Sequence, residues 1–250
     1  MGDSDMLYEE GLPLGTRIRK FAINSVEIQP GLFQVTHRGT NIYVIVEDRI
    51  TLVDTGLRES AQVVLDFIGN LGRSPSDIDC VILTHNHIDH MGGLAKIMEN
   101  SKAKVAVHRL DIGEREHPPA LDSRFREAVE RLKNSFFSVM PKDVDYVLEG
   151  GETFGCLGGL EVIHTPGHTA GSISLYAPKH KLIMTGDMIR KHRKTLMMPL
   201  RMVSYNLDVN LESIKKIAEY DITTICFGHG LPLTDDVKTK ITALIERKDS

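Results

Sequence analysis

The densest chemistry in the chain lies at Val81-Ile82-Leu83-Thr84-His85-Asn86-His87-Ile88-Asp89-His90-Met91-Gly92-Gly93, where an apolar run feeds into four side chains able to bind a metal and then into two glycines. His85 and His87 are two positions apart, so on an extended segment their imidazoles face the same way. Asp89 and His90 reach a neighbouring position as the chain turns into the next helix, so one loop can seed two adjacent metal positions. Neutral imidazoles with a carboxylate suit zinc, and iron or manganese are also compatible with these ligand types. A lone histidine is ordinarily a satisfied core or surface residue. Three histidines and an aspartate within six residues point instead to a metal centre.

Three more candidates share that setting. His168 follows Pro166-Gly167 in a tight turn between two strand-like runs, Asp187 follows Leu182-Ile183-Met184-Thr185-Gly186, and His229 follows Ile225-Cys226-Phe227-Gly228. Each sits at a strand end beside glycine, where a packed sheet holds side chains rigidly and leaves space above them. The remaining histidines, His37, His108, His117, His164, His180 and His192, read as surface, strand-end or supporting residues.

The elements that must position these groups follow from patterning. Short β runs at 21–28, 32–36, 42–46 and 50–53, broken by Pro30-Gly31, Gly39 and Glu47-Asp48, predict an antiparallel meander. Apolar residues at helical spacing over 60–71, ended by Gly72, predict a helix before the buried strand 80–83. A short helix near 94–98, a strand at 104–108 and a helical stripe over 122–139 come next. Strands at 146–148, 160–164, 173–176, 182–184 and 223–227 and helices at 211–220 and 235–247 make up the second half. Strand runs followed by helices in both halves predict an α/β fold, a four-layer αββα sandwich of two mixed sheets with outer helices. Residues 1–250 read as a single domain with a helical insert near 109–145.

Composition bounds the function. With 250 residues, 41% of them hydrophobic, the chain can bury a full core. Thirty basic against thirty-four acidic residues give a net charge of −4 and no global field for nucleic acid or an anionic membrane. No apolar run approaches a membrane span, the acidic N-terminal residues do not resemble a secretion signal, and the three cysteines, Cys80, Cys156 and Cys226, lack metal-ligand spacing. The expectation is a reduced, cytoplasmic protein; its oligomeric state is not legible.

The ordered set His85, His87, Asp89, His90, His168, Asp187 and His229 resembles the signature of the metallo-β-lactamase-fold superfamily, whose hydrolases include glyoxalase II, zinc lactonases and RNase Z. The resemblance runs from about Phe21 to the end of the chain. It implies two metal ions, zinc foremost, with His85, His87 and His168 on the first, Asp89, His90 and His229 on the second, and Asp187 bridging. It also implies a metal-held hydroxide as nucleophile, a catalytic part for Asp89 in orienting it or taking its proton, and support of the metal loop by Asp54 of Leu52-Val53-Asp54-Thr55-Gly56.

Departures from subfamily patterns narrow the substrate. Only 21 residues follow His229, against the helical domain that full-length glyoxalase II carries there, and Arg190 stands where zinc lactonases of acyl-homoserine lactones have tyrosine. Asp187 stands where β-lactamases proper usually have Cys or Ser. The basic stretch Arg190-Lys191-His192-Arg193-Lys194 beside Leu196-Met197-Met198 would suit a small anionic ester, thioester or lactone, with Arg190 and Arg193 as substrate-binding residues. The alternatives are a phosphodiesterase or nuclease on the same fold, and an oxidoreductase resembling single-iron sulfur dioxygenases. Nucleic acid is disfavoured because no long basic track accompanies that one loop.

Overall fold

The computed structural model describes residues 20–21, 24–112 and 144–249. Its first sheet opens with β1 (Lys20–Phe21), β2 (Ser25–Gln29), β3 (Leu32–His37), β4 (Thr40–Val46) and β5 (Ile50–Val53), each antiparallel to the one before. Helix α1 (Ser60–Asn70) then carries the chain across to β6 (Ile78–Ile82), which pairs parallel to β5. The short α2 (Ile88–Met91) and α3 (Leu94–Asn100) lead to β7 (Lys104–His108), and β8 (Tyr146–Leu148) completes the sheet, both strands parallel. The second sheet has the order β15-β12-β11-β10-β9, built from β9 (Thr153–Phe154), β10 (Leu160–His164), β11 (Ile173–Ala177), β12 (Leu182–Met184) and β15 (Thr224–Cys226). Between β12 and β15 lie a hairpin, β13 (Arg190–His192) with β14 (Thr195–Met197), and α4 (Leu207–Ile217); α5 (Val237–Asp249) follows β15.

The four-layer arrangement comes from period-two alternation. Val44 and Val81 point to one side of the first sheet, against Val64, Phe67 and Ile68 of α1 and Leu94 and Ile97 of α3. Their neighbours Tyr43, Ile45 and Ile82 point to the other side, against Val162, Leu175 and Met184 of the second sheet. Ile163, Ile183 and Ile225 then face outward onto Ile214 and Ile217 of α4 and Ile241 and Leu244 of α5. Successive strand residues face opposite ways, so two sheets apolar on both faces generate three apolar interlayers and need helices on both outer surfaces. This is the mixed-sheet sandwich that the patterning predicts. Helix α1 ends in a left-handed Gly72 (φ 73°), with Arg73 N–H donating to Ile68 O and Gly72 N–H to Gly69 O, the paired closure a glycine permits after a helix.

Several boundaries differ from the sequence reading. Helix α4 begins at Leu207 rather than 211, because the Asn206 side chain accepts the N–H groups of Asp208 and Val209 and so caps the helix a turn earlier. The basic stretch at 190–194, expected as a loop, is the β13–β14 hairpin, turning through Arg193 at φ 54°. The predicted helix over 122–139 lies outside the described residues. Among the described residues no helix is long and apolar enough to cross a membrane.

A buried polar ladder ties the first sheet to the last strand of the second. Asn41, fully buried, donates through Nδ2 to Phe227 O (2.9 Å) and Gly230 O (2.7 Å), and accepts at Oδ1 from Gln34 and Thr36. Tyr43 Oη adds a 2.6 Å bond to Phe227 O. Asn41→Ala removes one donor from each of these carbonyls and takes the Oδ1 acceptor away from the buried Gln34 and from Thr36, and should destabilise the fold by about 1–3 kcal/mol. Urea unfolding reads this as a lower midpoint at unchanged slope; an unaltered midpoint would show that the ladder adds no net stability.

Candidate metal centre

Every sequence-predicted ligand emerges where a strand ends. His85 and His87 follow β6, Asp89 and His90 stand on α2, His168 follows β10, Asp187 follows β12 and His229 follows β15. The two sheets therefore deliver their strand ends to one cleft, and all seven side chains meet there. The His85 ring centroid lies 4.7 Å from those of His87 and His168 and 4.1 Å from that of His90. His87 Nδ1 and His168 Nε2 are 2.9 Å apart. Beside them, His229 Nε2 is 3.1 Å from Asp187 Oδ2 and 3.3 Å from Asp89 Oδ2, and His90 Nε2 is 3.4 Å from Asp187 Oδ1.

Three overlapping groups could each hold a cation: His85, His87 and His168; His85, His90 and Asp187; and Asp89, His90 and His229, with the ligand atoms of each group within 4.8 Å of one another. The donor atoms themselves fit such an ion. His85 Nε2, His90 Nε2 and Asp187 Oδ1 are buried and make no hydrogen bond, and an unmet buried polar atom costs about 1–3 kcal/mol. Imidazole nitrogens and a carboxylate oxygen left in that condition and aimed at one point are what a divalent cation satisfies. Gly228 keeps the space open, since a Cβ there would collide with the Asp187 carboxylate and the His90 ring.

Asp54 orients the cluster from beneath. Its backbone is left-handed (φ 62°), a conformation Asp tolerates better than most residues. Its Oδ2 meets His90 Nδ1 at 2.7 Å and accepts from Thr84 Oγ1 at 2.8 Å, while Oδ1 accepts Thr84 N–H at 2.7 Å. Thr84 Oγ1 in turn lies 3.0 Å from His85 Nδ1, so one carboxylate sets the rings of two histidines of the cluster. The far nitrogens of the others are also placed: His229 Nδ1 donates to Gly39 O at 2.9 Å and His168 Nδ1 meets Ser204 Oγ at 3.3 Å.

Without a cation the cluster is electrostatically divided. Burial, reinforced by His90, His87 and His168, holds His85 well below the usual imidazole range. Burial also opposes charge on His90, but Asp187 and Asp54 outweigh it and hold that ring well above its ordinary value. Hydrogen bonds to Asp187 and Asp89 push His229 up to about 10. Burial works against ionisation of Asp187 and Asp89 too; His90 and His229 override it at Asp187, and a hydrogen bond from His229 followed by the charge of His90 does so at Asp89, so both carboxylates lie well below the usual range.

Sequence reasoning did not single out Asp111. Buried at the end of the 3-10 turn Arg109–Asp111, it accepts Asn86 N–H (2.9 Å) and Thr169 Oγ1–H (2.7 Å) at Oδ2 and Gly171 N–H (2.9 Å) at Oδ1. It thereby joins the loop of His85 and His87 to that of His168. Nothing in Leu110-Asp111-Ile112-Gly113-Glu114 distinguishes that carboxylate from its charged neighbours. The expected substrate arginines are not brought to the cluster by any hydrogen bond or ion pair among the described residues: Arg190 Nε donates to Met198 O at 2.8 Å, and Arg193 is exposed at the hairpin tip.

The sequence profile described as the metallo-beta-lactamase superfamily matches residues 35–229, so the chain belongs to that superfamily. The probable metallo-hydrolase YflN of Bacillus subtilis is 25% identical over 247 residues, covering 90% of this chain and 93% of that protein. A beta-lactamase-like protein 2 homolog of Caenorhabditis elegans is 29% identical over 222 residues, 88% of this chain and 64% of that longer one. Among solved structures, a metallo-beta-lactamase family protein of Thermus thermophilus superposes with a TM-score of 0.69 at 24% identity, covering 89% of this chain and 81% of that one, which establishes the shared fold. The superfamily generally binds metal ions, and the chain is a metallo-hydrolase in that general sense.

Two outcomes follow from the geometry. Asp54→Asn keeps a residue that tolerates the left-handed turn but removes the charge behind His90 and Thr84; metal affinity, read by competition with a chromophoric chelator, should fall about 10–100-fold, and an unchanged affinity would remove Asp54 from the site. Because His90 and His229 retain protons above their ordinary range in the metal-free fold, a cation must displace them. Apparent metal affinity should therefore rise with pH until His229 titrates near about 10. Calorimetry in two buffers of different ionisation enthalpy checks this, and zero net proton release would contradict it.

Proposed function

We propose that the chain is a binuclear metal-dependent hydrolase acting on a small ester, thioester or lactone, with zinc as the leading ion. The observation that carries this reading is the two-sided cluster, in which Asp187 contacts His90 and His229 on one side and lies 3.7 Å from His168 on the other. His85, His87 and His168 would hold one cation, Asp89, His90 and His229 a second, and Asp187 would bridge. Two divalent ions so placed supply Lewis acidity and lower the pKa of a shared water.

The chain's own residues then provide orientation. Asp54 and Thr84 fix His90 and His85 before substrate arrives, so little reorganisation is needed at the moment of reaction. Asp89, with its side chain 31% exposed, stands at the mouth. Held ionised by His229, it is suited to orienting the attacking water through its carboxylate and receiving its proton only transiently. Met202, Val203 and Tyr205 expose apolar surface on the strap whose Ser204 touches His168, which favours a substrate with an apolar part. Arg193 remains available to an anionic part. A net charge of −4 disfavours a polynucleotide. We take residues 1–250 to act as one domain.

Asp187→Ala removes the carboxylate that touches both halves of the cluster. With metal-replete protein, hydrolysis of an aryl ester or acyl thioester should fall at least about 100-fold, with the unfolding midpoint of the metal-free protein close to that of the parent. Unchanged turnover would reject the bridging role. Metal-dependent cleavage of an oligonucleotide without turnover of any carbonyl substrate would replace this reading by a phosphodiesterase.

A further inference from the structure

Away from the metal centre, the β13–β14 hairpin, the start of α4 and the end of α5 flank an open groove of about 290 Å³. Its walls are apolar, Met197, Leu200 and Leu244 among them, and three arginines, Arg190, Arg201 and Arg247, line the same space. Two of the three are held in place by the backbone. Arg190 Nε donates to Met198 O at 2.8 Å, and Arg247 donates through Nη2 to Leu196 O at 2.7 Å and through Nε to Ala243 O at 3.0 Å. The Nη atoms of Arg190, Nη1 of Arg247 and the whole guanidinium of Arg201 remain for other partners.

Among the described residues the arginines that pair with carboxylates are Arg49, Arg73 and Arg109; the three at this groove do not. In a chain of net charge −4, three guanidinium groups with no acidic partner among the described residues line one apolar groove, and an anionic group complements them. The apolar floor requires that the anion carry a hydrocarbon part. At about 290 Å³ the groove lies just below the roughly 300–1,000 Å³ range of small-molecule sites, a size suited to one narrow chain.

We propose that this groove binds a medium-chain fatty carboxylate, its alkyl chain along Met197, Leu200 and Leu244 and its carboxylate on Arg190, Arg201 and Arg247. The site is separate from the hydrolytic one, although the two share a wall: Ser204 Oγ, 3.3 Å from His168 Nδ1, donates to Leu200 O at 2.8 Å. Arg190, expected from the sequence to meet the substrate of the metal centre, belongs instead to this second site.

Calorimetric titration of the metal-loaded 250-residue chain with octanoate and decanoate below their micellar concentrations tests the proposal. Saturable binding of one molecule per chain is expected, weakening as salt rises, with decanol and acetate each binding far more weakly. Arg201→Glu, which removes a side chain with no structural hydrogen bond among the described residues, should weaken decanoate about tenfold or more. Leu200→Glu, at a position 54% exposed, should do the same by placing charge in the chain's path. In protein carrying methyl-13C methionine, the Met197 and Met198 signals should shift while that of Met91, beside the metal loop, stays in place. Failure to saturate, equal affinity for decanol, or decanoate binding indifferent to both substitutions would overturn the proposal. So would a shift confined to Met91, which would put the carboxylate on the metal cluster.

Discussion

A buried carboxylate is tolerated inside a protein only if its oxygens find hydrogen-bond partners, and those of Asp54 find them in the groups that line the histidine and aspartate cluster. Its two oxygens take Thr84 N–H, Thr84 Oγ1–H and His90 Nδ1. The same residue donates its backbone N–H to Ile82 O, and Thr55 N–H donates to His90 O, so the end of β5 is fastened to the end of β6 and to α2 by main chain and side chain together. An imidazole whose Nδ1 is fixed presents Nε2 in one direction. The orientation of His90, and through Thr84 that of His85, is thus a property of how two neighbouring parallel strands end.

The sandwich supplies the second half of that constraint. Ligands from one sheet alone would form a partial shell; the close approach of the second sheet adds His168, Asp187 and His229. Asp111 and Asn41 are the pins that hold the approach, one on each flank. Asp111 joins the loop after β6 to the loop after β10, while Asn41 joins β4 to the turn that carries His229. Both are buried polar residues with several partners, where truncating one side leaves others unsatisfied. The apolar interlayers provide the bulk of the burial. These polar pins give the alignment on which a site made from two sheets depends.

The layered fold and the meeting of seven histidine and aspartate side chains in one cleft were both legible in the sequence, for different reasons. Alternation such as Val44 against Tyr43 and Ile45, and helical spacing such as Val64, Phe67 and Ile68, records which face each residue buries. Those side chains stood out because histidine and aspartate at that density serve no packing purpose. What escaped notice depended on contacts remote in sequence. Asp111 is a single acid in a charged stretch until the fold places Asn86, Thr169 and Gly171 around it. The start of α4 was missed because Asn206 caps it before any apolar repeat begins. The hairpin at 190–197 was hidden by its basic composition, which reads as a solvated loop until Leu196 is seen buried with Leu244 and Phe227.

The claim on which the account turns is that His85, His87 and His168 with Asp89, His90 and His229, joined by Asp187, form two cation positions. Elemental analysis of the intact chain, loaded with zinc and freed of excess by dialysis, measures this directly. Two ions per chain, with stoichiometry falling toward one when His229→Ala empties one side, is the result expected. A single ion per chain in fully loaded protein would contradict it.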